Sequence, residues 1–228
     1  MKMPLSYSRL STFEQCPAKF DYLYVTKSCK DKGSEATEYG TRVHEVLELH
    51  GQGRHDLIKP TEENKRTLKQ WGPLVDKLLA RNGTKYFEHQ MAVNEQLQPV
   101  DWFAPDVWIR SIADVLVIDG ETAYVIDWKA GKVKDNPTQL QLFAAMVLWH
   151  FPEVNTVKTS FVWLKYQDVS KSHYERRFLD ALWRAIAPRF HKVHETIELG
   201  VFPTKPSGLC TPWCPAHAIC PGARPARR

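Results

Sequence analysis

The sequence predicts an α/β fold in which a mixed central sheet is flanked by helices. Three observations predict it. The apolar residues recur at helical spacing through the first third of the chain and switch to a period of two at Tyr86. The elements from that point run βββ, α, ββ, α. An Asp119-Gly120 pair between two β-type runs is the strongest short-range hairpin signal a sequence offers.

Ser8 or Ser11 is placed to cap a first helix through Phe13, Phe20 and Leu23, distorted by Pro17 beside Cys16. Residues 30–38 are polar and read as a loop. A helix over about 39–50 carries Val43, His44, Val46 and Leu47 and stops at Gly51-Gln52-Gly53. Thr61 opens a longer helix with Leu68, Trp71, Val75, Leu78 and Leu79 at helical spacing, ending near Asn82-Gly83. Strands are predicted at about 86–97, 107–118 and 122–129. Asn136-Pro137 starts a helix running to Trp149, with Asn136 as its cap. Two strands follow, at about 155–166 and 172–178, then a helix over 180–199, interrupted at Pro188 and closed by Gly200. The whole reads as a single domain over 1–228, with a core at about 39–180.

The composition is that of an ordinary globular protein, with 43% hydrophobic and 25% charged residues. The net charge of +5 and the basic tail at residues 224–228 mildly favour a polyanionic partner. The longest apolar run, Phe143 to Trp149, is too short for a bilayer. Five cysteines without a secretory signal point to a reducing, cytoplasmic setting, where thiols serve metals or catalysis.

The hairpin carries chemistry. With Asp119-Gly120 as the turn, facing residues sum to 239, so Asp114 lies opposite Val125 and diagonal to Asp127. Alternation puts Asp114, Asp127 and Lys129 on one face. Two carboxylates there suit Mg²⁺ or Mn²⁺, and Lys129 can orient a water or offset developing charge. The plainer alternative is a surface ion pair. Against it, both aspartates sit among residues of buried type, where an unpaired carboxylate is costly.

Asp114 followed by Asp127-Trp128-Lys129 resembles the motif of the PD-(D/E)XK nuclease superfamily. His44, in Gly40-Thr41-Arg42-Val43-His44-Glu45, is similar to the helical histidine of the RecB-like exonuclease branch. Gln139-Leu140-Gln141-Leu142-Phe143 resembles that branch's Gln-x-x-x-Tyr motif, with Phe143 in the tyrosine position. The start, Ser6-Tyr7-Ser8-Arg9-Leu10 … Phe13 … Cys16-Pro17, looks like that of RecB-like proteins with an iron–sulfur cluster: CRISPR-associated, AddB-type and phage-encoded nucleases. The resemblance implies a restriction-endonuclease-like core. It makes His44, Asp114, Asp127 and the Trp128 carbonyl metal ligands, Asp114, Asp127 and Lys129 catalytic, and Gln139 close to DNA. Read from the residues alone, His44 is equally a structural histidine and Gln139 a helix-face polar residue. Glu95, ahead of the central strand, is a further acidic candidate.

Cys210-x₃-Cys214-x₅-Cys220 with remote Cys16 supplies four thiolates, the number a [4Fe–4S] cluster needs. Zinc is the alternative, since Cys₄ zinc sites tolerate many loops. Cys29 has no partner in a spacing motif and reads as a bystander. Either metal would staple residues 8–25 to 200–222, a closure worth on the order of 5 kcal/mol by loop entropy.

The resulting expectation is a metal-dependent DNA exonuclease acting on single strands or DNA ends. A DNA-end-binding accessory subunit and an endonuclease on the same core are the alternatives. No G-x-x-x-x-G-K-[ST] motif occurs, so translocation would need a helicase; a recombinase or a CRISPR-adaptation protein are other expected partners.

Overall fold

Pro17 decides how the chain begins. A residue before proline is pushed out of the helical region, and Cys16 is extended at φ −164, ψ 111. The predicted first helix is therefore two: α1 (Tyr7–Gln15) and α2 (Pro17–Phe20), followed by a π-helical turn at Asp21–Val25. The α1 cap is Ser6 rather than Ser8 or Ser11, its hydroxyl accepting the Arg9 N–H. The structure, a computed structural model, describes residues 3–31, 33, 35–133, 137–211 and 213–223.

The remaining elements are α3 (Glu35–Gly51), α4 (Glu62–Leu79), β1 (Thr84–Val93), β2 (Ile109–Asp119), β3 (Thr122–Lys129), α5 (Pro137–His150), β4 (Thr156–Trp163), β5 (Asp168–Glu175) and α6 (Leu179–Leu199). Thr61 caps α4 as expected, accepting the Asn64 N–H. Helix α3 starts inside the stretch read as a loop, with Glu35 and Glu38 in its first turn, where the helix dipole favours acids. The predicted Asn136 cap lies outside the described residues. Pro188 does not interrupt α6. Burial of Ile186, Phe190 and Val193 along the same helix offsets the hydrogen bond that proline cannot make.

Two compact units make up the chain: Gly33–Trp183, and Met1–Lys32 with Arg184–Arg228. The first holds a five-stranded mixed sheet in the order β1-β2-β3-β4-β5. All neighbours are antiparallel except β3 and β4, which are parallel and joined through α5. One core packs Val43 and Leu47 of α3 and Trp71, Val75 and Leu78 of α4 against Val115, Val117, Ile126, Trp128 and Val162. Helix α5 buries residues all round, from Leu140 through Leu148, as expected of a helix without a polar face.

The hairpin register differs from the prediction. Asp119 stays in the ladder opposite Thr122, so Gly120 and Glu121 make the turn, with Gly120 at φ +54. Facing residues now sum to 241, which puts Asp114 opposite Asp127 rather than diagonal to it. A shift of two keeps every side chain on its face. Strand β1 ends at Val93, four residues early. The Asn94 side chain accepts the Gln96 and Gln98 N–H groups, and this turn carries Glu95 away from the strand.

The second unit joins α1 and α2 to the later part of α6 and the segment after it. Glu14 receives two 2.6 Å bonds from Arg189, the Ala18 N–H reaches the Pro203 carbonyl, and the Phe20 ring meets Phe13 edge to face and Phe202 at a tilt.

Candidate active site and four-cysteine centre

The β2–β3 ladder closes at Val115 and Ile126, and the strands then part. Into that opening the Asp114 carboxylate turns one oxygen, Oδ2, which accepts the Trp128 N–H at 2.6 Å. Its other oxygen lies 3.5 Å from His44 Nδ1. On the far side of β2, the β1 register runs unbroken on both sides of Glu88, which faces Asp114 without pairing. Glu88 has φ 48, a left-handed backbone that a non-glycine residue adopts rarely. Ligand atoms of His44, Glu88 and Asp114 lie within 4.8 Å of one another. Two carboxylates and an imidazole are a donor set that fits a divalent ion of the Mg²⁺ or Mn²⁺ kind.

Asp127 and Lys129 stand next to this group, in the row the sequence predicted. Asp127 is 5% exposed. Its Oδ1 accepts the Gln139 side-chain N–H at 3.0 Å, and its Oδ2 lies 2.5 Å from Lys129 Nζ. The ammonium also sits 5.0 Å from the Phe161 ring centre. His44 Nε2 lies 2.8 Å from the Trp128 carbonyl. With that nitrogen carrying a proton, the ring presents Nδ1 to Asp114. The Trp128 carbonyl, expected to face a metal, lies against His44 Nε2 and has a second lone pair besides.

The electrostatics follow from crowding. Burial pushes Glu88 up to about 7, and the charges of Asp114 and Glu48 add to it. Burial likewise pushes Asp127 up to about 6, with Asp114 adding and the Lys129 ammonium pulling back. For His44 burial works against the charged form, but the hydrogen bond and charge of Asp114 outweigh it and the pKa rises. Such a site takes up a cation readily, because a cation relieves repulsion among the acids.

Of the acidic residues, Glu88 was missed by the sequence reading, and Glu95 proves to be in a turn beyond the strand. The available signal was Glu88 on the strand preceding Asp114, but only the β1–β2 register shows that the two face each other.

In the other unit, Cys16, Cys210, Cys214 and Cys220 all line one cavity of about 180 Å³. None is in a disulfide. Cys210 Sγ accepts the Ser207 N–H at 3.2 Å. Burial raises the Tyr22 phenol, and its next largest influence is Cys220, with Cys16 and Cys29 also contributing. Burial pushes the Cys29 thiol up, and the charge of Cys214 adds to the effect. Among the described residues, no three of these thiols come within 4.8 Å of one another. Tetrahedral zinc, with Zn–S bonds near 2.3 Å, would need its sulfurs about 4 Å apart.

A family model, the PD-(D/E)XK nuclease superfamily, matches residues 4–221. No curated protein matches the chain. Among solved structures, SSO0001 aligns over 99% of this chain and 90% of its own, at 14% identity and a TM-score of 0.46. A "putative exonuclease" from Eubacterium rectale aligns over 90% of this chain and 91% of its own, at 13% identity and a TM-score of 0.48. Likenesses this loose do not speak to activity.

Proposed function

We propose that this chain, which belongs to the PD-(D/E)XK nuclease superfamily, is a divalent-metal-dependent DNA exonuclease of the RecB-like branch. The observation that carries the reading is the meeting of His44, Glu88 and Asp114 around one point, with Asp127 and Lys129 alongside. That combination suits phosphodiester hydrolysis: a cation site and, beside it, an ammonium held by Asp127.

His44, Glu88 and Asp114 would hold the ion, with the Asp127–Lys129 pair beside it. A divalent ion there polarises a phosphoryl oxygen and makes bound water more acidic. The chain's own residues do the rest. Lys129 stabilises negative charge on the phosphoryl group or orients the water, and Asp127 keeps its ammonium in place. Gln139 fixes Asp127 by its remaining oxygen. Asp114 is itself oriented by the Trp128 N–H, so the site is built on strand ends and one helix rather than on loops.

Two features favour the RecB-like branch and its exonuclease activity. His44 of α3 stands at the acid cluster, and Gln139, from the Gln-x-x-x-Tyr-like segment, touches Asp127. For the cysteines the same reading gives a [4Fe–4S] cluster. The four thiols share a cavity, and four thiolates are the number such a cluster needs. The protein would act in a reducing compartment on single-stranded DNA or DNA ends, with a helicase, recombinase or CRISPR-adaptation protein supplying them. Among the described residues no helix is long and apolar enough to cross a membrane.

Linear and circular forms of single- and double-stranded DNA, incubated with Mn²⁺, test the reading. Linear DNA should shorten progressively from its ends while circles persist. Cutting of circles at a comparable rate would replace the exonuclease with an endonuclease.

A further inference from the structure

Between α4 and strands β3, β4 and β5 lies a groove of about 750 Å³. The register puts Tyr124 and Ile126, Lys158, Ser160 and Val162, and Val169, Lys171 and His173 on one face of three adjacent strands. Lys77 and Arg81 of α4 form the opposite wall. No carboxylate lines the groove. Among the described residues none of these five basic side chains is in an ion pair, although ion pairs occur elsewhere in the chain. Arg81 lies over the Tyr124 ring at 4.2 Å, with the Lys158 ammonium 5.4 Å from the same ring. The Arg81 Nε is buried without an acceptor. Four cations and a histidine gathered without counter-charge repel one another, a cost that a bound polyanion would remove.

We infer that this groove holds the phosphate backbone of a single DNA strand away from the bond being cut. The inference rests on the nuclease reading for its choice of polyanion, and on the groove alone for its charge. Side chains alternate along β3, so Tyr124 and Ile126 face the groove while Asp127 faces the other side of the sheet, and the groove is a contact separate from the site of cleavage. The volume is that of a site for a few nucleotides rather than for a duplex. Exposed lysines give this contact a sequence-tolerant, salt-sensitive character.

The experiment compares wild type with the triple variant Lys77→Ala/Lys158→Ala/Lys171→Ala, all three exposed side chains. Circular dichroism and the melting temperature check folding. Binding of a fluorescein-labelled oligothymidylate of about 20 nucleotides is measured in EDTA across a salt series. Hydrolysis of bis(p-nitrophenyl) phosphate with Mn²⁺ reads the catalytic site on a substrate too small for the groove. We expect affinity to fall at least about tenfold and the log–log salt slope to flatten by about 2, since each single-strand phosphate contact is worth about 0.7. Hydrolysis of the small diester should be unchanged. Wild-type affinity and slope in the triple variant would overturn the groove, as would a wild-type protein that binds inorganic phosphate there but no oligonucleotide. If the slope flattens while neither DNA nor the small diester is ever hydrolysed, the nuclease reading fails and the groove stands.

Discussion

The Gln139 side-chain amide donates to Asp127 Oδ1 across 3.0 Å, tying the first turn of α5 to the end of β3. Asp127 thus has both oxygens engaged, one by a neutral amide and one by Lys129. Losing the amide leaves a buried carboxylate oxygen without a partner. Hydrogen bonds to charged groups are worth about 1.5–3 kcal/mol. We expect Gln139→Leu to lower kcat about ten- to a hundredfold with little change in DNA affinity. Equal losses in kcat and affinity would make Gln139 a DNA contact instead.

Asp114→Ala, Asp127→Ala and Lys129→Ala should each lower cleavage more than about a hundredfold, because each removes an acid of the cluster or the ammonium beside it. Oligonucleotide binding should persist, since phosphate contacts elsewhere dominate affinity. Near-wild-type turnover in Asp127→Ala and Lys129→Ala would show that the active site is elsewhere.

Glu88 and His44 are tested by metal titration. Glu88→Gln keeps the side chain's size and removes its charge. Manganese affinity, read by calorimetry, should fall at least about tenfold. His44→Ala should behave similarly and lose most activity, with Mn²⁺ at least as effective as Mg²⁺ in wild type because imidazole is a borderline ligand. Unchanged Mn²⁺ binding in both variants would exclude this trio as the cation site.

The raised acids make stability depend on pH in a definite direction. Glu88 titrates near 7 in the fold against 4.5 ordinarily, and Asp127 near 6 against 3.8. Between those values the folded state binds more protons, so stability falls as pH rises through about 6–7. In EDTA the melting temperature should therefore drop between about pH 5 and pH 8, and Glu88→Gln should flatten the drop. Manganese should restore more at the alkaline end, where the acids are ionised. A melting temperature that rises with pH in wild type and Glu88→Gln alike would contradict the assignment.

Cys16→Ala, Cys210→Ala, Cys214→Ala and Cys220→Ala should each bleach a brown protein and destabilise it, since a thiolate lost from an iron–sulfur cluster opens it to oxidation. Cys29→Ala should leave the colour. A colourless wild type with one zinc per chain would replace the cluster by zinc, and a stable Cys16→Ala would remove the metal centre altogether.

What was legible in the sequence was mostly local. Period and turn signals located four strands and the second half of β5, which starts at Asp168 rather than 172, and the parity of a strand put Asp114, Asp127 and Lys129 in one row even though the register was two residues off. The register slipped because Asp119, a typical turn residue, stays paired with Thr122. Glu88 was out of reach for a different reason. It joins the site through the β1–β2 register and a left-handed backbone, and neither leaves a mark on its neighbours in the chain. Helix α3 did announce its start with Glu35 and Glu38, but the surrounding polar residues masked it. Pro188 misled because local propensity yielded to burial on both sides of it.

The unit made of Met1–Lys32 and Arg184–Arg228 has a consequence for synthesis. Its first piece leaves the ribosome with Phe20 exposed and Glu14 unpaired, because Phe202 and Arg189 are not yet made. At about 5–20 residues per second, Cys16 waits about 10–40 seconds for Cys210. The β1–β5 sheet, whose strands pair in the order they are made, can form during that interval. The unit to which Phe20 and Cys16 belong is therefore completed last, after the sheet has had time to form.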